Sequence, residues 1–367
     1  MKVNHLSAGV KLTGMTLRPF QNCPTIPQAF GPDPDLLLRL TRDLTPKQAR
    51  HVAILTGNGI TANSARLAGA LEVHRFHPIT GRVLMGTGGG LDGLVSGVIS
   101  AVSQATGQGV QVTCKDERSG PYRRVYSKPG YAYQHSRIYL PSDNHGDLHE
   151  EKSAGCGDTC FIYTGGWGAK GGAVDAGFQH GRYMNQGQDD WAPFFLVQQP
   201  GGPSAITVSD QRQKGGDPWR LKAGQDAELA FWVTQDADLT VLSLFIRGVT
   251  NLDRTESTLT LRAPIDARFG WDAGGGLNIL KRMTTIGQTY GKQNLSTGSF
   301  MQGVNWQQSR IGTSEADAQD WRAEHTGGYC TFPDPNTPEG QRQDGQGPKW
   351  HVDFRDAGNE VDSVRLG

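Results

Sequence analysis

The stretch from Lys222 to Arg262 constrains the fold more than any other, because its apolar residues recur with a period of two between clear turn signals. Two apolar runs, Glu228 to Thr234 and Leu239 to Val249, flank Gln235-Asp236-Ala237-Asp238, and a third, Ser257 to Arg262, follows a polar connection. This predicts strand, turn, strand, loop, strand. In the middle run Leu242, Leu244 and Ile246 alternate with Val241 and Phe245, so both sides are apolar and the strand belongs inside a packed sheet. In the third run Leu259 and Leu261 share one side while Thr258, Thr260 and Arg262 share the other, the pattern of a sheet with one wet face.

The rest of the chain is placed around that triplet. Its 367 residues exceed the usual size of one domain, and 50 glycines without a collagen repeat imply many turns. Acidic and basic residues balance at 36 each, which argues against nucleic acid or an anionic membrane surface as the main partner. No apolar run is long enough for a membrane span, and Met1 to Phe20 lacks the apolar segment of a secretory signal. Residues 1–33, with four prolines, read as an extended arm. Helix signals then mark a small helical region over 34–110: Asp33 before Leu36, Leu37 and Leu40; Thr45-Pro46 leading into Ala49, Val52 and Ala53; Ser64 to Glu72; and Leu91 to Val102. Strand signals recur over 111–332, where most of the tryptophans lie. A Pro/Gly-rich strap and a last strand, with Trp350, Val352 and Phe354, occupy 333–367. The predicted fold is mainly β: a two-sheet, jelly-roll-like sandwich preceded by the helical region.

Three groups of residues could carry chemistry. His145, His149, Cys156 and Cys160 have spacings that zinc accepts, although Cys156 and Cys160 could equally close a small disulfide. The segment Gly171 to Gln199 holds Asp175 among small residues, with His180 further along and Asp189-Asp190 before Trp191. If Asp189 and Asp190 faced Asp175 across a hairpin, the paired carboxylates and an aromatic platform would suit glycoside chemistry or a calcium-assisted sugar site. Trp167 and Trp191 are the candidate platforms, and a turn role for the aspartates with Trp191 in the core is the plain structural alternative. His74 and His77 are cut off from a helix by Pro78, and Gly86 to Gly93 lacks the Lys-Ser/Thr of a phosphate-binding loop. Arg123-Arg124 and Lys281-Arg282 read as solvated doublets that could meet an anionic glycan.

Composition and pattern therefore lead to an extracellular or cell-surface sandwich that contacts a glycan or envelope component through exposed rings and carboxylates. The alternatives are a carbohydrate-active hydrolase or lyase using Asp175, Asp189, Asp190 and His180, or a self-assembling surface protein that forms homo-oligomers through its arm and tail. Enzyme and binding module part on one feature: an enzyme needs several such groups converging, whereas a binding face is flat with its rings exposed.

Overall fold

The computed structural model describes residues 29–56, 58–74, 102–106, 109–151, 158–180, 188–200, 204–210 and 219–367. Two sheets pack face to face. The first runs Gly59–Ala62, Val52–Thr56, Glu256–Ile265, Leu239–Val249, Gln225–Asp236, Tyr133–Leu140, Phe300–Gly312, Asn359–Arg365, Trp350–Asp356. The second runs Thr326–Phe332, Tyr122–Ser127, Ile279–Gly287, Thr159–Trp167, Ala173–Gln179, Asp190–Gln198, Ser204–Asp210, Leu71–His74. Neighbours pair antiparallel except Val52–Thr56, which lies parallel to Glu256–Ile265. Phe231, Leu244 and Leu261 from the first sheet meet Ile162, Val174 and Leu280 from the second in one continuous core. The molecule is a β-sandwich, as the periodicity predicts. Among the described residues no helix is long and apolar enough to cross a membrane.

The strand Leu239–Val249 has the predicted bounds and is covered on both faces. Leu242, Leu244 and Ile246 enter the core between the sheets, while Val241 and Phe245 pack beneath Leu37, Leu40 and Leu44. The wet face expected for Ser257 to Arg262 is instead polar but dry. Thr258 and Thr260 donate their hydroxyls to the carbonyls of Lys47 and Gln48, and Arg262 donates to Asp43, Thr234 and Ser243. The segment from Asp33 to Arg50 lies over this face, supplying the partners that water would otherwise provide.

Two of the helix signals produce helices. Asp33 caps Pro34–Arg39 through Leu36 N, and Ser64 caps Ala65–Ala70 through Leu67 N. The Thr45-Pro46 signal does not. Thr45 N donates to Gln48 Oε1, closing a single turn, after which Val52–Thr56 is a strand. Val52, Ile54 and Thr56 are β-branched, and a waiting sheet edge outweighs a capping signal of that strength. The 34–110 region thus supplies strands to both sheets as well as two short helices. The Leu91 to Val102 signal lies outside the described residues apart from Val102, which begins the strand Val102–Thr106. Three strands carried no clear signal: Tyr122–Ser127, Thr326–Phe332 and Asn359–Arg365, the last forming a hairpin with Trp350–Asp356.

Candidate functional site

On the second sheet, side chains that alternate away from the core form an outer face, and three of its strands place a charged pair there. Lys281 is the cross-strand partner of Gly165, and Gly165 in turn is the partner of Asp175. Because Gly165 has no side chain, Lys281 reaches over the intervening strand and its ammonium ion-pairs with the Asp175 carboxylate. Gly165 has φ +134°, and a Cβ there would stand 2.0 Å from Val174 O, so the gap is built into the backbone. The Lys281 backbone is pinned from beneath: Gln134, on the first sheet, donates to the carbonyls of Gly165 and Lys281, and Thr164 also donates to Lys281 O.

Aromatic and basic groups surround the pair. Lys281 Nζ lies 4.5 Å from the centre of the Trp167 ring and 5.5 Å from that of Tyr163. Arg124 sits over Tyr122 and Trp167 at 4.7 and 5.4 Å and forms an ion pair with Glu117. Glu117 arrives on a short connection fixed by the Cys114–Cys330 disulfide and by Tyr122 Oη, which donates to Lys115 O. The Tyr163 hydroxyl is directed at Met283 Sδ, a weak acceptor.

Asp175, Lys281 and Arg124 are buried, and burial dominates their titration. It pushes the Asp175 carboxyl above the usual carboxylate range against the pull of Lys281. The same burial pushes the Lys281 ammonium down against the pull of Asp175, so both groups move toward their neutral forms. Burial, followed by the nearby Asp175 and Glu117, drives the Tyr163 hydroxyl well above its ordinary value. Hydrogen-bonding capacity is left over. Among the described residues Arg124 Nε and Nη1, Trp167 Nε1 and Gln179 Oε1 are buried without a hydrogen-bond partner, while Asp175 is held by Lys281.

The other sequence candidates lie elsewhere. Gln179 pairs with Ala192, which puts Asp189 and Asp190 beyond the end of the ladder, about six residues or roughly 20 Å along the strand from Asp175. They do not form a carboxylate pair with it, and the donor set proposed for calcium is not assembled. His180 instead joins Glu150 and Asp189: Nδ1 lies 3.2 Å from Glu150 Oε2 and Nε2 3.1 Å from Asp189 Oδ1. Burial acts to lower its pKa, but the two carboxylates outweigh burial and raise it to about 9. Both ring nitrogens therefore carry protons that are already donated, which leaves no lone pair for use as a base. Asp190 is bound by Arg220 and Asn251.

Trp167 and Trp191 are buried, as are the other six tryptophans, so none is an exposed sugar platform. Of the zinc candidates, His145 is exposed beside Asp147 and His149 half-buried beside Glu151, whereas Cys160 is a free thiol buried in the core. No three potential ligands converge among the described residues, and Cys156 lies outside them. The disulfide joins Cys114 to Cys330, not Cys156 to Cys160. Arg123, Arg124, Lys281 and Arg282 are all buried, not solvated. Glu117, Arg124, Tyr163 and Lys281 carry no spacing motif. The available signal was strand alternation, which sends one member of each basic doublet to each face of a sheet.

No family model and no curated protein matches the chain in sequence. Among solved structures, it is similar to Scytalido-glutamic peptidase bound to a peptide-based transition state analog, at 7% identity and a TM-score of 0.35, over 67% of this chain and 98% of that one. A likeness at that level carries no weight for the chemistry of the site.

Proposed function

We propose that this chain is an extracellular carbohydrate-active lyase that cleaves a uronate-containing glycan on the outer face of the second sheet. One observation carries the reading: Lys281, Asp175, Arg124, Tyr163 and Trp167 converge on a single buried face while several of their hydrogen-bonding atoms remain unpartnered. A flat glycan-binding face would rest on the exposed rings of Tyr329 and Phe354, where no such set of charged groups converges among the described residues. The disulfide suits an oxidising compartment.

The roles follow when the proton shared by the Lys281–Asp175 pair rests on Asp175, the direction in which burial pushes both groups. The Lys281 amine then takes the proton from the carbon next to the uronate carboxylate. The electron pair left behind forms the carbon–carbon double bond, and the bond from the next carbon to the glycosidic oxygen breaks. Tyr163, which stays protonated, gives its proton to the departing oxygen. Proton return from Lys281 to the tyrosinate resets both groups, so neither water nor an oxidant is consumed. The spare N–H groups of Arg124, and Asp175 when protonated, hold the carboxylate whose charge grows as the proton leaves.

Incubation with a panel of uronate-containing polysaccharides should generate the ultraviolet absorbance of the conjugated double bond. Lys281→Met and Tyr163→Phe should each lower kcat by about 10²–10⁴-fold while leaving the circular dichroism spectrum unchanged. Release of reducing ends without that absorbance would transfer the site to hydrolysis, and no cleavage of any acidic glycan would sink the reading.

A further inference from the structure

A cavity lies on the opposite side of the molecule. On the outer face of the first sheet, with a volume of about 530 Å³, it opens at the end of the strands Tyr133–Leu140 and Gln225–Asp236. That volume is within the range of small-ligand sites. Its floor is a cross-strand aromatic pair, since Tyr133 and Trp232 are directly opposite in the ladder. Both residues are more than nine-tenths buried, so only their edges and polar tips face the cavity. The Tyr133 hydroxyl and the Trp232 indole N–H are not enclosed buried atoms, so the floor offers ring edges with two polar tips open to the cavity.

The walls decide what could occupy it. Arg39 is ion-paired with Asp236 at 2.5 Å, and Arg262 holds Asp43 through two contacts of 2.5 and 2.8 Å. These pairs cancel most of the charge. Arg42 and Glu315, which make no ion pair with a described residue, stand as one cation and one anion on the rim. Hydroxyls and amides of Thr45, Gln48, Thr234, Gln235 and Ser314 complete the lining. An anion would meet no net positive field there, and an apolar ligand would strip water from polar groups without replacing their bonds. A ring with one apolar face and many hydroxyls satisfies both the floor and the walls.

We infer that this cavity binds neutral saccharide units of a glycan, without cleaving them. The site is independent of the acid–base cluster on the second sheet. Calorimetric titration with neutral oligosaccharides (gluco-, manno- and xylo-oligomers) tests it beside acidic oligomers of the same length. At least one neutral series should bind saturably with a Kd of about 1 mM or tighter. Glu315→Trp, at an exposed rim position, should weaken that binding by about tenfold or more without moving the thermal midpoint. Trp232→Phe, which keeps a ring but removes the N–H, should weaken it severalfold, and Lys281→Met should leave it unchanged. The assignment is overturned if no neutral oligomer saturates, if only acidic oligomers bind, if both cavity variants bind like the parent, or if Lys281→Met abolishes binding.

Discussion

Adjacent residues on a strand leave on opposite sides, so Arg123 and Arg124, and likewise Lys281 and Arg282, have different fates. Arg124 and Lys281 go to the outer face of the second sheet; Arg123 and Arg282 go inward, where Glu360 accepts from both. Burial would raise the Glu360 pKa, but Arg282 and Arg123 outweigh it and lower the group to about 2. Asp362 lies next to it on the same side of the Asn359–Arg365 strand, and burial and Glu360 push it well above the usual range, toward its neutral form. The two carboxyls therefore differ in consequence. Glu360→Gln removes the counter-charge of two buried guanidinium groups and should cost about 3–5 kcal/mol. Asp362→Asn keeps the uncharged form toward which burial pushes the carboxyl, and the cost should be well under half of that. Urea midpoints of the two variants check the prediction, which fails if the two are equally destabilised.

At the scale of elements, the first sheet depends on a cover that cannot stand alone. Pro34–Arg39 is six residues long, far below the length at which an isolated helix persists in water. It holds its shape because Leu37 and Leu40 are inserted against Val241, Phe245 and Ile54. Leu37→Ala should lower stability by about 2–5 kcal/mol and speed amide hydrogen exchange at Val241 and Phe245. Leu38→Ala, at a half-buried position, should do much less, and equal effects would mean that the helix is not seated by Leu37. This cover also marks how far the sequence could be read. Leu239–Val249 was legible because both of its faces are apolar and turn signals bound it on either side, the pattern of a strand covered on both faces. Tyr122–Ser127 was not, because Arg123 and Arg124 look solvated until Glu360 and Glu117, 237 and 7 residues away, are brought to them. Asp175 could be picked out as a carboxylate among small residues. Its partner could not, because strand register and the Gly165 gap join Lys281 to it from more than a hundred positions along the chain, while Asp189, near in sequence, falls past the end of the ladder.

For the whole molecule, the two sheets are fastened at one end by a charged clasp whose strength should depend on pH. Glu150 follows the Tyr133–Leu140 strand of the first sheet, and His180 and Asp189 bracket the connection between two strands of the second. Asp189 also accepts from Ser142 Oγ and from the backbone N–H groups of Asp143 and Asn144, so the contact spans both layers. Burial would raise Asp189, but the bonds from His180, Ser142 and the two amides outweigh it and hold the carboxyl far below its ordinary range. Its contribution is present above about pH 4 and fades as pH falls further. His180 has the opposite sign. Its folded pKa of about 9 exceeds the ordinary 6.5, so its contribution is complete below pH 6.5 and is lost as pH rises through 9. Two and a half units correspond to a loss on the order of 3 kcal/mol. His51 and His135 are lowered by burial and titrate on the acid side of this window. Other buried acids add slope of their own, so the quantity to measure is the difference between parent and His180→Gln. Urea unfolding at intervals from pH 6 to 9.5 should give a parent that loses stability faster than the variant, the two curves converging toward the alkaline end. Parallel curves would mean that His180 is not held as an imidazolium, and the sheets would then owe their closure at that end to Trp191 and its apolar neighbours alone.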